Sequence, residues 1–181
     1  MRVIGGTAKG MKLKSPDGQA VRPTADRVKE ALFNILGYRI IGARFIDIYA
    51  GSGAIGIEAL SRGAQDCIFI DNQRSNHLLI RENLVKTRLE GGARLIIADA
   101  KKALVILSRE GAKADLVYLD PPYNCPDLAA VVSSVLEQQI IAQSGLLITE
   151  HAHKNRQWAD DFASVRQKRY GDTCLTIIEP A

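Results

Sequence analysis

No stretch of this 181-residue sequence approaches the ~20 consecutive apolar residues of a membrane-spanning helix, and the N-terminus lacks the apolar run of a signal peptide. A cytoplasmic protein is expected. Cysteine is scarce: Cys67, Cys125 and Cys174 are widely spaced and form no C-x-x-C, so neither a disulfide framework nor a zinc site is signalled. His77, His151 and His153 lack partners at metal-ligand spacing, and no metal is expected. Internal repeats and low-complexity tracts are also absent. What remains is a chain of one-domain length with 46% hydrophobic residues, enough for a substantial core and a small appendage.

Charge is present but unevenly spread. Residues 1–30 hold seven basic residues (Arg2, Lys9, Lys12, Lys14, Arg22, Arg27, Lys29) against three acidic ones (Asp17, Asp26, Glu30), which equals the whole chain's excess of +4. A basic appendage on a near-neutral body points to a polyanion, most simply nucleic acid. Arg2-Val-Ile4 and Met11-Lys-Leu-Lys14 read as two short extended pieces of a hairpin, and the loop at Gly5-Gly6 is permissive enough to lie against a phosphodiester chain. A helix follows, with Val28, Ala31, Leu32, Ile35 and Leu36 at helical spacing up to Gly37.

From Arg44 onward strands and helices alternate. The apolar runs at 45–49, 67–70, 95–98, 115–119 and 145–149 read as strands. Helices are predicted over 54–62, 72–89, 101–110 and 127–139, the second burying Leu78, Leu79 and Val85. Glu58 and Arg62 form a favourable i,i+4 pair. Two closing strands are expected near 162–165 and 174–178, around Gly171-Asp172. That order predicts an α/β, Rossmann-like, open and mostly parallel sheet with a closing antiparallel strand.

In such sheets ligands bind beyond the carboxyl ends of the strands, and here those ends are acidic: Asp47, Asp71, Asp99, Asp120 and Glu150. Gly51-Ser-Gly53-Ala-Ile-Gly56 matches G-x-G-x-x-G, with Asp71 twenty residues after Gly51, as a nicotinamide enzyme would have. Against that reading, no Lys or Arg flanks the glycine turn, and Asp47 close by would repel a pyrophosphate. S-adenosylmethionine suits these residues better. Its charged groups are a sulfonium and an ammonium, its ribose hydroxyls can donate to Asp71, and its adenine amine to Asp99, unless Asp99 only caps the following helix.

The stretch Ala114-Asp-Leu-Val-Tyr-Leu-Asp120-Pro-Pro-Tyr123-Asn124 ends a strand in a stiff corner. Pro121 and Pro122 donate no amide hydrogen, so the corner presents acceptors: the Asp120 carboxylate and the Pro121 carbonyl. Tyr123 adds a ring face. A nucleobase amine, with two N–H donors on a stackable ring, fits it.

On these residues the chain resembles the bacterial RsmD-type methyltransferases, which modify a guanine N2 amine in small-subunit ribosomal RNA. The likeness covers Met1-Arg-Val-Ile-Gly-Gly6 with Lys9-Gly10, Arg22-Pro-Thr24, Asp26 to Leu36, Asp47-Ile-Tyr-Ala-Gly-Ser-Gly53, Glu58 to Ala64 and Asp120-Pro-Pro-Tyr123. It departs mildly at Tyr49, where Phe is usual, and at Asp71, where Glu is common. The resemblance implies an AdoMet-dependent methyltransferase domain over residues 41–181 and an RNA-binding extension over 1–40. Its implied substrate is ribosomal RNA in a partly assembled small subunit. Catalytic roles are expected at Asp120, Pro121, Pro122 and Tyr123. Cofactor contacts are expected at Asp47, Ala50, Gly51, Ser52, Gly53, Asp71, Asn72, Asp99 and Ala100, and RNA contacts at Arg2, Lys9, Arg22, Arg27 and Lys29. A monomer without metal is expected. Two readings stay open beside it: an Asp-Pro-Pro-Tyr amine methyltransferase acting on DNA or protein, and a non-catalytic RNA-binding assembly factor.

Overall fold

The strands fall where short apolar runs end in acids or glycines. In the computed structural model, which describes residues 1–15, 23–122, 125, 127–160, 162 and 164–180, seven of them make one sheet. Arg22 and Tyr123 lie outside the described residues. β1 (Arg44–Ile48), β2 (Asp66–Asp71), β3 (Ala93–Ile97), β4 (Ala114–Leu119) and β5 (Ile141–Ala152) pair in parallel in the order β3-β2-β1-β4-β5. β7 (Thr173–Ile178) runs antiparallel to β5, and β6 (Val165–Tyr170) antiparallel to β7 at the edge. β1 and β4 are buried along nearly their whole length because helices cover both faces, hence their continuous rather than alternating apolar sequences. β6, Val-Arg-Gln-Lys-Arg-Tyr, keeps four charged or polar residues exposed, which blunts the open edge.

α1 (Pro23–Leu36), α2 (Ala54–Ser61) and α3 (Arg74–Thr87) lie on one face, over a core that includes Leu32, Phe33, Phe45, Phe69 and Tyr118. α4 (Ala100–Arg109) and α5 (Leu128–Glu137) cover the other, over Ile48, Leu104, Val117, Val132 and Val135. Among the described residues no helix is long and apolar enough to cross a membrane.

Three predicted details differ. α3 buries His77, Ile80, Asn83, Leu84 and Thr87, leaving Leu78 and Val85 exposed. Its polar residues go inward because each finds a backbone partner: His77 sits 3.0 Å from the Asp71 carbonyl, and the Asn83 amide donates to the Ser52 and Lys14 carbonyls at 3.0 Å. β5 begins at Ile141, four residues early, through an irregular register opposite Ala114–Leu116. The first closing strand is Val165–Tyr170, and Phe162 instead packs edge-on against Trp158.

The N-terminal hairpin forms as predicted, with Val3 donating to the Met11 carbonyl and Leu13 to that of Met1, both at 2.9 Å. Its glycine loop is committed to the protein, not held open for a polyanion. The Ile4 and Gly5 amides each donate to the Glu58 carboxylate at 2.7 Å, and Gly6, at φ +75°, lies so close to Ser61 that a Cβ would come within 1.7 Å of its carbonyl oxygen. Glycine is required there by both conformation and contact.

Candidate active site

Register alone gathers the site. Asp47 of β1 pairs with Tyr118 of β4, which pairs with Ile148 of β5, so these three side chains leave the sheet on one face. Two residues further along, Asp120, just past the end of β4, and Glu150, within β5, return to that face. β1 and β4 are also where the strand order reverses, the crevice in which open α/β sheets bind ligands. There a cavity of about 350 Å3 is lined by Met1, Asp26, Lys29, Asp47, Tyr49, Ala50, Gly51, Ser52, Ala54, Ile55, Asn76, Tyr118, Asp120 and Glu150. A larger opening, about 410 Å3, lies at the other end of the sheet. Its cations are already engaged, Arg94 with Glu110 at 2.6 Å, Arg44 with Asp66 at 4.0 Å and Lys113 with the Gln139 carbonyl, so it offers no convergent set of groups.

The glycine turn after β1 holds Gly51 and Gly53 at positive φ, and Gly53 opens α2. Asp47 accepts from the Gly56 amide in that helix's first turn at 2.9 Å, tying strand to helix. It is fully buried, and burial chiefly pushes its carboxyl up to about 7, with the neighbouring Asp71 adding. Tyr49 stands at φ +65°, a strained conformation for an aromatic residue, and its side chain borders both the cavity and a neighbouring recess.

That recess, about 10 Å3, is formed by Tyr49, Asp71, Asn72, Asp99 and Ala100 among others. A base can lie against it but not inside it. Asp71 accepts from the Gly51 amide at 2.9 Å, the Gln73 amide at 2.8 Å and the Asn76 side chain at 3.1 Å. A carboxylate has roughly four acceptor positions, so about one is left for a hydroxyl. Asp99 caps α4 by accepting from the Lys101 amide at 3.0 Å and stays exposed.

Asp120 borders the open cleft and is solvent-exposed, yet protein surrounds its carboxylate; that enclosure, then Glu150, then Asp47, raises it above the usual carboxylate range. Glu150 is raised by burial and held back by the Tyr118 hydroxyl, which donates to its Oε2 at 2.5 Å. Pro121 and Pro122 border a separate pocket of about 140 Å3 with Cys125, His151 and Trp158.

Of the expected cofactor residues, Asp47, Ala50, Gly51 and Ser52 meet at the cavity, and Asp71, Asn72, Asp99 and Ala100 at the recess beside it. Of the expected RNA contacts, Arg2, Lys9 and Arg27 are exposed. Lys29 is not: it is 3% exposed, with its ammonium on the Arg2 carbonyl at 2.5 Å and near Glu58 at 3.4 Å. The inward face of α1 takes it, and the Glu58 carboxylate compensates its burial. Asp26, Asn76 and Tyr118 were not foreseen. Asp26 reaches the cavity from α1, and its Oδ1 is buried without a hydrogen-bond partner. Tyr118 could have been found by counting back two residues from Asp120. The cavity's acceptors are mostly carboxylates, which fits a ligand bearing positive charge and N–H or O–H donors; among the described residues no group could hold a metal ion.

The chain matches the family model described as Conserved hypothetical protein 95 over residues 1–179. It is 36% identical over 179 residues to YlbH of Bacillus subtilis, provisionally named an rRNA methyltransferase, covering 98% of this chain and 97% of that one. It is 36% identical over 155 residues to the ribosomal RNA small subunit methyltransferase D of Escherichia coli, covering 86% and 76%. A solved Escherichia coli structure, provisionally named a methyltransferase, superposes with a TM-score of 0.83 at 30% identity over 100% of this chain and 99% of its own.

Proposed function

The chain belongs to the family described as Conserved hypothetical protein 95, that of the RsmD-type ribosomal RNA methyltransferases, and on that premise we propose that it methylates the N2 amine of a guanine in small-subunit ribosomal RNA. Its methyl donor is S-adenosyl-L-methionine, its substrate an assembling small subunit, and it works as a cytoplasmic monomer. The observation that carries the reading is the placing of Asp120 on the same cavity as Asp47 and the glycine turn.

The site fits that cofactor: Asp47 for a cationic methionine end, Asp71 for a ribose hydroxyl, and Tyr49, Asn72, Asp99 and Ala100 for the adenine edge. When bound, the cofactor supplies an electrophilic methyl on a sulfonium. The chain's own part is orientation and charge. A guanine amine is a weak nucleophile because its lone pair is delocalised into the ring. Asp120 and the Pro121 carbonyl accept its two hydrogens and aim the nitrogen at the methyl, Pro122 stiffens the corner, and Tyr123 stacks on a flipped base. Positive charge grows on the nitrogen during attack, and the Asp120 carboxylate stabilises it. Residues 1–40 hold the RNA through Arg2, Lys9, Arg22 and Arg27.

Labelled methyl transfer to small subunits from cells lacking this protein, with naked ribosomal RNA and duplex DNA alongside, tests the reading by nucleoside mass analysis. New N2-methylguanosine in the subunits is expected. Label only in DNA, or binding without transfer, overturns it.

A further inference from the structure

Glu150 was legible only as one acid among several at the strand ends, and its neighbours give it a sharper role. Leu119 pairs with Thr149 across β4 and β5, so Asp120, the residue just past β4, and Glu150, still within β5, follow that pair on neighbouring parallel strands, which in a sheet run ~4.8 Å apart. The Tyr118 hydroxyl fixes Glu150 through Oε2 at 2.5 Å, and Tyr118 is only 1% exposed, so it has no room to swing away. Resting on the guanine-N2 reading, we propose that Glu150 and Asp120 act as one proton-sharing pair, in which Glu150 makes Asp120 the acceptor for the proton that leaves the amine on methylation.

The groups facing the pair support this. Asp47 and Tyr49 come from β1 and the turn after it, Tyr118 from β4, and Asp26 and Lys29 from α1, while Leu175 of β7, the residue paired with Glu150, is neutral. The one lysine among them is committed to the Arg2 carbonyl and Glu58, and Asp26 adds a further carboxyl group. Two carboxylates side by side in such a cleft resist ionising together, and the titration belongs to the pair. Both groups are raised above their ordinary values, Asp120 partly by Glu150 itself. A carboxylate brought nearer the working pH is a better proton acceptor.

The balance is simple. The N2–C bond forms, the C–S bond breaks with its electron pair left on sulfur, and one N2 hydrogen leaves as a proton onto an Asp120 oxygen, lowering the pair's charge from two to one. A pair already carrying that proton at low pH cannot take it, so the rate must fall on the acid side. Glu150 is thus a positioning residue, acting through Asp120.

Single-turnover rates against pH, at saturating AdoMet and subunits, test the pairing in the wild type, Glu150→Gln and Glu150→Asp. Glu150→Gln removes the neighbouring charge, so its acid limb should move down by about one pH unit or more, with a plateau lower by about tenfold or more. Glu150→Asp should keep the limb near the wild-type position. A limb that stays put in Glu150→Gln overturns the pairing, since a purely structural Glu150 would lower rates without moving it. If Glu150→Gln fails to fold, carboxyl 13C titration of the wild-type protein decides: two well-separated steps, each seen at both residues, support the pair, and two independent steps at ordinary values refute it. A wild type that never methylates guanine defeats the functional reading instead, and the titration still judges the pair.

Discussion

Asp120 makes the most direct single-residue prediction. In Asp120→Asn the corner keeps its shape and an acceptor oxygen but loses the charge that answers the growing positive nitrogen. Methyl transfer should fall by roughly 10²- to 10³-fold, the usual loss for one electrostatic partner of a transition state, while AdoMet affinity measured by calorimetry changes only a few-fold. Loss of AdoMet binding to the same extent would move Asp120 from the reacting amine to the cofactor. Asp47 predicts a pH effect. Its carboxyl ionises at about 7 in the fold against an ordinary 3.8, so between those values the folded state holds a proton the unfolded chain has lost. Its contribution to stability therefore falls as pH rises from about 4 to about 7, then levels. A cationic ligand favours the ionised form, so AdoMet should bind more tightly as pH rises toward 7, releasing a proton, and reach a plateau above it. In Asp47→Asn that dependence should be lost; a wild-type affinity flat from pH 6 to 8 would remove Asp47 from the cofactor's charge.

At the scale of elements, the N-terminal hairpin, α1 and α2 are joined by one buried carboxylate. Glu58 is fully buried and takes the Ile4 and Gly5 amides, the Arg62 guanidinium at 2.7 Å and the Lys29 ammonium at 3.4 Å. Glu58→Ala would strand a buried lysine and two amides, so a loss of about 3–5 kcal/mol is expected, as for breaking a buried pair. Urea denaturation should show the midpoint falling with the slope unchanged; a drop under ~1 kcal/mol would mean the hairpin adjusts freely. Sequence pattern caught the helical neighbours Glu58 and Arg62, because four residues is one turn. It could not show that the same carboxylate serves a loop more than fifty residues earlier. The misread face of α3 has a related cause: Leu78 and Val85 look like core, but His77 and Asn83 displace them because backbone carbonyls at the end of β2, in the glycine turn and in the hairpin wait on that side. Periodicity weighs apolarity and is blind to such long-range partners.

Across the whole molecule, the succession of strands and helices along the chain and the acids near strand ends were legible because each is written locally, as an apolar run followed by Asp or Glu. Which acids share a cavity was not, since that depends on register between strands far apart in sequence; so Glu150 and Tyr118 come from the fold, and Asp26 from the docking of α1. The basic excess of residues 1–30 was likewise legible as a total, but burial divides it. Arg2, Lys9 and Arg27 are exposed, Lys14 is paired with Glu82 at 2.7 Å, and Lys29 is inside. Only the exposed, unburied charges can displace counterions from RNA. Replacing Arg2, Lys9 and Arg27 together by Gln should therefore weaken subunit binding and flatten the plot of log affinity against log salt by about 2 to 3, at roughly 0.7–0.9 for each phosphate no longer neutralised. Methyl transfer at saturating substrate should change little, since none of the three borders the cavity. Lys29→Met makes the contrast: a less stable protein with an unchanged salt slope. A triple variant that keeps the wild-type slope would place the RNA on another face of the sheet.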